Sequence, residues 1–468
     1  MLNKKVLLIS ILPDEHRNLS CLTLFSVAYD KGIDIELLYI PREEEYNQKT
    51  FQNYLKEQGF SVIGLSVTTG GFFFAKQLTL DIKECIPDSH VIWGGIHPTT
   101  VSEECLEYAD SICVGEGENT FITLIDNIFS NKDISKIPGI WLKNHEGQII
   151  QNPISTPLSS LDSLPVNRYH WSNFYVIDNE GFRNFSHNDY AKYSKHNGDG
   201  YTLMTSRSCP YSCSFCINSF LNKLYSGRRH ILKRSVENVL KELKYAISDI
   251  KSIKFINFID DHFLTTKEWT EEFCRVYKNE IALPFMIRST PNFINQENIT
   301  ALKDAGLVVV QIGIQTGSER INKEIYHRQF DRNKLIDVSL LLKQNKIKPI
   351  FDIIIQSEFE DNSDRDKTIE LLMELERPFE CSVFSLTAFP ETRIAHMLKQ
   401  KGITPKINPY YNDYLDHDDS DWYYQMANVA GSVSKETFSY LYHNRNDQKV
   451  LDELKLILSN GSSPEFVG

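Results

Sequence analysis

Thr205-Ser206-Arg207-Ser208-Cys209-Pro210-Tyr211-Ser212-Cys213-Ser214-Phe215-Cys216 is the stretch on which the reading of this chain turns. Three cysteines stand at Cys-x-x-x-Cys-x-x-Cys spacing, straight after a short apolar run, Tyr201-Thr202-Leu203-Met204. With nine cysteines among 468 residues, chance produces both offsets with odds of roughly 0.004 over the chain. Three thiolates on one loop are enough to hold three corners of a cubane [4Fe-4S] cluster, and the absent fourth leaves one iron open. A structural zinc would need a fourth Cys or His close by, usually in a second pair, and none follows at such spacing. Packed, unlinked core cysteines are the other alternative.

Outward from this loop, strand and helix patterns alternate through six βα units. The second strand, Ser252–Ile259, ends in Asp260-Asp261-His262-Phe263, and the third, near Leu283–Ile287, in Arg288-Ser289-Thr290. The fourth, Leu307–Ile312, runs into Gly313-Ile314-Gln315-Thr316-Gly317-Ser318. The fifth, Lys348–Ile355, ends in Gln356-Ser357-Glu358, and the sixth, Ser382–Leu386, in Thr387-Ala388-Phe389-Pro390. In a βα barrel the working groups sit at the carboxyl ends of the strands, so all six ends and the cysteine loop converge on one mouth. Six units predict a partial, open (β/α)6 barrel over residues 200–398. A basic run (Lys223, Arg228, Arg229, His230, Lys233, Arg234) follows the cysteines and reads as a solvated or cluster-covering segment. It leads to Ser235, a helix cap.

The cysteine spacing, the strand before it and the aromatic Phe215 before the last cysteine resemble the radical S-adenosylmethionine (radical SAM) enzymes. That resemblance implies that Cys209, Cys213 and Cys216 ligate the cluster and that S-adenosylmethionine (SAM) chelates the open iron. Reduction by an external one-electron donor of flavodoxin or ferredoxin type then yields a 5′-deoxyadenosyl radical. It also implies that Asp260 and Asp261 lie near the adenosyl ligand and that Arg288 pairs with its carboxylate; capping the following helix is the alternative for the two aspartates. Gly313 and Gly317 resemble a Gly-Ile-Glu-Ser-Gly segment that packs along the nucleoside. Here Gln315 replaces the glutamate and Thr316 the serine, which excludes a charged role at 315. After the fifth strand a common Gly-Leu-Pro-Gly-Glu is absent, leaving Gln356 and Glu358 as candidates to face substrate.

Residues 1–135 carry five short buried strands separated by helices, the pattern of a doubly wound parallel sheet. The strand ends are rich in glycine and hydroxyls: Ser66, Thr68 and Thr69 after the third, Gly94, Gly95 and His97 after the fourth, Gly115 and Glu116 after the fifth. They resemble the cobalamin-binding domain that precedes the radical SAM domain in one subfamily, which implies a cobalamin contact surface at those residues. In the loop after the first strand, Asp14 and His16 fit part of the Asp-x-His-x-x-Gly motif of histidine-ligated cobalamin, but Leu19 replaces its glycine. An exposed loop histidine is the alternative for His16.

Residues 136–199 read as a connector with a hairpin around Ile140–Ile150, and 399–468 as a small C-terminal cap. The acidic, aromatic run Tyr410–Tyr424 is either a surface cap or a closure of the barrel mouth. A formal charge of −12 argues against nucleic-acid partners and anionic membranes. No apolar run reaches the roughly 18 residues of a membrane span. An odd, unpaired cysteine set places the chain in a reducing compartment, the cytoplasm. The subfamily implies methyl transfer to an unactivated carbon of a natural-product, peptide or lipid substrate; the alternative is a non-methylating radical reaction.

Overall fold

The computed structural model describes residues 4–11, 15–193, 198–225, 231–263, 266–411 and 418–460. Asp14, the side chain of His16, the basic residues Arg228, Arg229 and His230, and positions 412–417 of the acidic run lie outside the described residues. The chain forms two compact units, Met1–Leu203 with Tyr225–Ile256 and Tyr410–Asn412, and Met204–Leu224 with Asn257–Pro409 and Asp413–Gly468.

The first unit holds strands β1 (Lys5–Ile11), β2 (Asp34–Ile40), β3 (Val62–Ser66), β4 (His90–Gly94) and β5 (Ser111–Cys113). Val6 to Ile11 of β1 are buried without alternation, as expected of a strand covered on both faces by helices. The helices Glu15–Asp30, Gln48–Gln58, Phe72–Cys85 and Glu118–Phe129 supply that cover. β1 pairs in parallel with both β2 and β3, and β3–β4 and β4–β5 are also parallel. The order is therefore 2-1-3-4-5, which reverses between β1 and β3, and ligands of open sheets bind outside the carboxyl ends at such a switch point.

Within the segment read as a connector, the expected hairpin forms as β6 (Ile140–Lys143) and β7 (Ile149–Gln151), antiparallel to β5. Gly147 turns it with φ 80. A second hairpin, β8 (Phe174–Asp178) and β9 (Gly181–Asn184), adds to β2 at the other edge and gives nine strands in all. Its apolar core is only Phe174-Tyr175-Val176-Ile177, too short to stand out among polar neighbours.

Six further strands form one sheet in chain order: β10 (Gly200–Leu203), β11 (Phe255–Phe258), β12 (Phe285–Ser289), β13 (Leu307–Gln315), β14 (Lys348–Ile355) and β15 (Glu380–Ser385). β12 to β15 run parallel to their neighbours, and the sheet curls into an open half-barrel. Each crossover helix, and the helix after the last strand, starts at a side chain that accepts from the third helical N–H: Ser235, Thr266, Asn295, Asp331, Asp361 and Thr392. Such caps satisfy amides that the helix itself leaves unpaired. Because Thr266 caps helix Lys267–Glu280, neither Asp260 nor Asp261 is needed for that task. On β14, Pro349, Phe351 and Ile353 are buried, whereas Lys348, Ile350 and Asp352 on the other face are partly accessible. That second face carries the polar groups described below.

Candidate active site

The cysteine loop is fastened by buried hydrogen bonds at its start and again at Ser214, between its last two cysteines. Below it, Asp260 is fully buried and accepts from the Thr205 backbone N–H at 3.2 Å and the Thr205 hydroxyl at 2.8 Å. The Ser206 hydroxyl also donates to it. In the middle of the loop, Ser214 N–H donates to the Tyr326 carbonyl at 3.0 Å and its hydroxyl to the Ile325 carbonyl at 2.6 Å. The Ser214 carbonyl accepts from Ile394 N–H at 2.9 Å. Phe215 packs edge-on against Tyr326 with ring centres 5.1 Å apart. The loop is thus pinned by Asp260, 55 positions after Thr205, and by Ile325, 111 positions after Ser214, while its cysteines stay partly accessible.

All nine cysteines are free thiols. Burial pushes the Cys209 thiol up to about 11 and raises Cys213 and Cys216 as well. Metal coordination reverses such a shift by deprotonating the thiol outright. Among the described residues, no three His, Cys, Asp or Glu side chains are grouped to hold a single metal ion, which is the geometry a zinc needs. In a cubane each thiolate binds a different iron, so three thiolates on one loop are the donor set of a cluster with one iron left open.

The acidic pair after β11 is divided in its roles. Asp260 is committed to the loop, which corrects its expected place beside the adenosyl ligand: three donors already occupy its oxygens. Asp261 is exposed and lies close enough to Cys209 and Cys216 to raise both thiols. Asn218 links the two, its amide reaching Cys216 Sγ at 3.7 Å and Asp261 Oδ2 at 3.3 Å. Arg288 Nε donates to Gln311 Oε1 at 3.3 Å, and Gln311 Nε2 donates to Asp352 Oδ1 at 2.8 Å.

Gly313 is followed by a bulge before Gln315, whose φ is +69. With its amide turned to satisfy both ends, Gln315 donates to the Asp352 carbonyl at 2.9 Å and accepts from Arg328 Nη1 at 3.2 Å. Arg328 Nη2 also donates to the Gly313 carbonyl at 2.8 Å, and this guanidinium is near enough to Cys213 to lower its thiol against the effect of burial. Gly317 has another job than lining a nucleoside: a Cβ there would stand 2.2 Å from the Lys367 carbonyl, so close packing on helix Asn362–Glu374 demands glycine. Gln356 bonds Ser385 at 2.8 Å and the Asp418 carbonyl at 3.1 Å, and Glu358 accepts from Lys406 N–H at 2.7 Å. Gln356 is engaged at both ends of its amide by the chain itself, which corrects the expectation that it faces substrate, whereas Glu358 keeps Oε2 buried without a hydrogen-bond partner. Tyr423 donates to Asp366 at 3.0 Å on helix Asn362–Glu374, so this part of the aromatic run caps the outer surface.

In the first unit, the ends of β3, β4 and β5 make a backbone lip. Ser66, Thr68, Gly94 and Gly115 are partly accessible and Gly95 is exposed. Val67 N–H donates to the Gly94 carbonyl at 2.8 Å and His97 N–H to the Val67 carbonyl at 3.1 Å. Gly95 has φ +101, and a Cβ there would lie 2.8 Å from the Val67 carbonyl; only glycine fits. Behind the lip, His97 is fully buried, with Nδ1 3.3 Å from the Thr69 hydroxyl and Nε2 without a hydrogen-bond partner. Burial pushes its pKa down to about 4. The Tyr410 ring lies 5.3 Å from it and that hydroxyl donates to Glu104 at 3.0 Å. Glu116 is taken up differently from expectation, since its carboxylate accepts from Leu158 N–H at 2.9 Å and its own N–H donates to Tyr225 at 2.8 Å. An accessible lip whose glycines let the backbone be approached closely suits a large flat ligand, as a corrinoid is.

Comparison with known families matches the B12 binding domain over residues 5–125 and the Radical SAM superfamily over residues 203–372. The chain thus carries a B12-binding domain followed by a radical SAM domain. A relative from Pyrococcus horikoshii, an uncharacterised methyltransferase, is 26% identical over 71% of this chain and 68% of its own length. The anaerobic magnesium-protoporphyrin IX monomethyl ester cyclase of Synechocystis is 25% identical over 65% of this chain and 57% of its own. Among solved structures, the radical SAM methyltransferase TsrM from Kitasatospora setae, with cobalamin and a [4Fe-4S] cluster bound, superposes with a TM-score of 0.69. It is 16% identical, covering 85% of this chain and 75% of its own, and so shares the fold.

Arg328, Asn218, Gln311, Asp352 and Tyr225 were not anticipated. Asn218 alone had a signal, its place two residues after Cys216. The others acquire meaning from strand register and from contacts distant in sequence.

Proposed function

We propose that the chain is a cobalamin-dependent radical SAM enzyme that methylates an unactivated carbon of a natural-product, peptide or lipid substrate. The observation that carries this reading is the presence, in one chain, of a fastened three-thiol loop and a B12-type lip at a 2-1-3-4-5 switch point. When bound, the cluster with SAM supplies a 5′-deoxyadenosyl radical for hydrogen abstraction, and cobalamin supplies the methyl group. The protein contributes binding and orientation. Cys209, Cys213 and Cys216 hold the cluster. Asp260 fixes their loop. Asn218 and Asp261 stand beside Cys216, with Asp261 the carboxylate placed to accept from the ligand's amino group. Arg288 is suited to the SAM carboxylate, the charge-assisted contact in which arginine excels. Gly313, Gln315 and Arg328 form the wall next to Cys213. Ser66, Thr68, Gly94, Gly95 and Gly115 meet the corrinoid.

No described helix is long and apolar enough to cross a membrane; with nine free thiols, a cytoplasmic site supplied by a flavodoxin- or ferredoxin-type reductant fits the chemistry. The similarity to a protoporphyrin ester cyclase favours a second reading, a radical reaction without methyl transfer. Anaerobic reconstitution with iron, sulfide, cobalamin and SAM separates the two. Methyl transfer yields S-adenosylhomocysteine alongside 5′-deoxyadenosine, whereas 5′-deoxyadenosine alone would favour the second reading.

A further inference from the structure

Arg288, Gln311 and Asp352 stand on three adjacent strands of the half-barrel, β12, β13 and β14, with Arg288 directly in register with Gln311. Barrel interiors are normally filled by branched apolar side chains, so a polar row across three strands requires an explanation. Its hydrogen bonds run in one sense only. The Gln311 amide nitrogen faces the Asp352 carboxylate at 2.8 Å and its oxygen faces Arg288 Nε at 3.3 Å. Turning the amide over would set oxygen against carboxylate and N–H against guanidinium. The acid end of the row is equally defined. Asp352 is in register with Gly313 on one neighbouring strand and Ser382 on the other, so neither flank offers a bulky side chain, and its carbonyl accepts from Gln315. Gln311 is therefore clamped at both ends, and its carbonyl fixes the plane of the Arg288 guanidinium through Nε. An arginine held through Nε presents its terminal nitrogens in a set direction, the geometry that paired contacts with a carboxylate need.

We propose that Gln311 and Asp352 are positioning residues for SAM binding, acting through Arg288: the row Asp352–Gln311–Arg288 aims the guanidinium at the ligand's carboxylate. This rests on the assignment of Arg288 to that carboxylate.

The test uses the full chain carrying its reconstituted cluster, with the SAM dissociation constant measured by equilibrium dialysis. Gln311→Leu, close in size and unable to accept from Arg288, is expected to weaken SAM binding about tenfold, and Asp352→Asn about threefold, with iron and sulfide content unchanged. The decisive variant is the pair Arg288→Ala with Gln311→Leu. If Gln311 acts through Arg288, the double variant binds SAM no more weakly than Arg288→Ala alone; a general packing role would instead add its loss to that of the arginine. Wild-type affinity in Gln311→Leu, or additive losses in the pair, would overturn the proposal. Unchanged affinity in Arg288→Ala itself would remove the assignment of Arg288 on which the row depends, a distinct result. If Gln311→Leu fails to take up iron, Gln311→Met carries the same measurement.

Discussion

The cysteine loop and the lip of the first unit are both built at the carboxyl ends of parallel strands, yet they are made specific in opposite ways. The loop depends on side chains that nothing else can replace, three thiols held by Asp260 and by the Ser214 contacts to the Ile325 and Tyr326 carbonyls. The lip depends mainly on backbone, with Gly95 at φ +101 pressed against the Val67 carbonyl and a single buried histidine behind it. Side-chain chemistry leaves a spacing that stands out in sequence. Backbone shape leaves only glycines, which many doubly wound sheets also show. The comparison predicts abrupt losses in the loop and graded ones in the lip.

The largest effect belongs to the thiols. Cys209→Ala, Cys213→Ala or Cys216→Ala is expected to abolish 5′-deoxyadenosine formation, measured chromatographically after anaerobic incubation with SAM and reductant. Retained turnover in any of them would make the loop as tolerant as the lip and end the contrast. Asp260→Ala comes next. It leaves the Thr205 N–H and two hydroxyls without their buried acceptor, at a cost of about 3 kcal/mol, and iron uptake should fall with the midpoint of denaturation. A stable variant that loads iron normally would show that Asp260 is not what fastens the loop.

In the lip, Gly95→Ala forces a Cβ to within 2.8 Å of the Val67 carbonyl at positive φ, an expected loss of about 2 kcal/mol. Cobalamin affinity, followed by absorbance titration, should weaken while the iron content stays that of the wild type. Loss of iron as well would show that the two sites do not respond separately. At neutral pH the smallest effect is that of His97, whose contribution shows only on acidification. Its folded pKa of about 4 lies below the roughly 6.5 of an unfolded histidine, so the ring is neutral in the fold and the unfolded chain gains the proton first. Stability is then full above about pH 6.5 and falls as the pH drops towards 4, by about 3 kcal/mol in all. His97→Phe should remove that share of the acid sensitivity. An unchanged pH profile of unfolding would mean that His97 protonates in place.

The same contrast governs what was legible in sequence. The alternation of strands and helices placed every strand of the half-barrel, because each apolar run is bounded by caps such as Ser235 and Asp331. The cysteine spacing singled out directly the three thiols proposed as cluster ligands. What sequence cannot supply is partner identity. Asp260 and Asp261 are adjacent and chemically alike, yet one is buried under Thr205, some 55 positions earlier, and the other faces the thiols. Gly317 resembles a nucleoside-lining glycine until the Lys367 carbonyl is seen against it. Gln311 reads as an interruption in an apolar strand, and only the register with Arg288 gives it a role.

The central claim is that three thiols on one fastened loop hold a cubane with an iron left for SAM. Electron paramagnetic resonance of the anaerobically reconstituted and reduced full chain, recorded with and without SAM, tests it most directly. The account predicts a [4Fe-4S] signal whose shape changes when SAM is added and which is lost in Cys213→Ala. Absence of a cubane signal, or a signal indifferent to SAM, would contradict it.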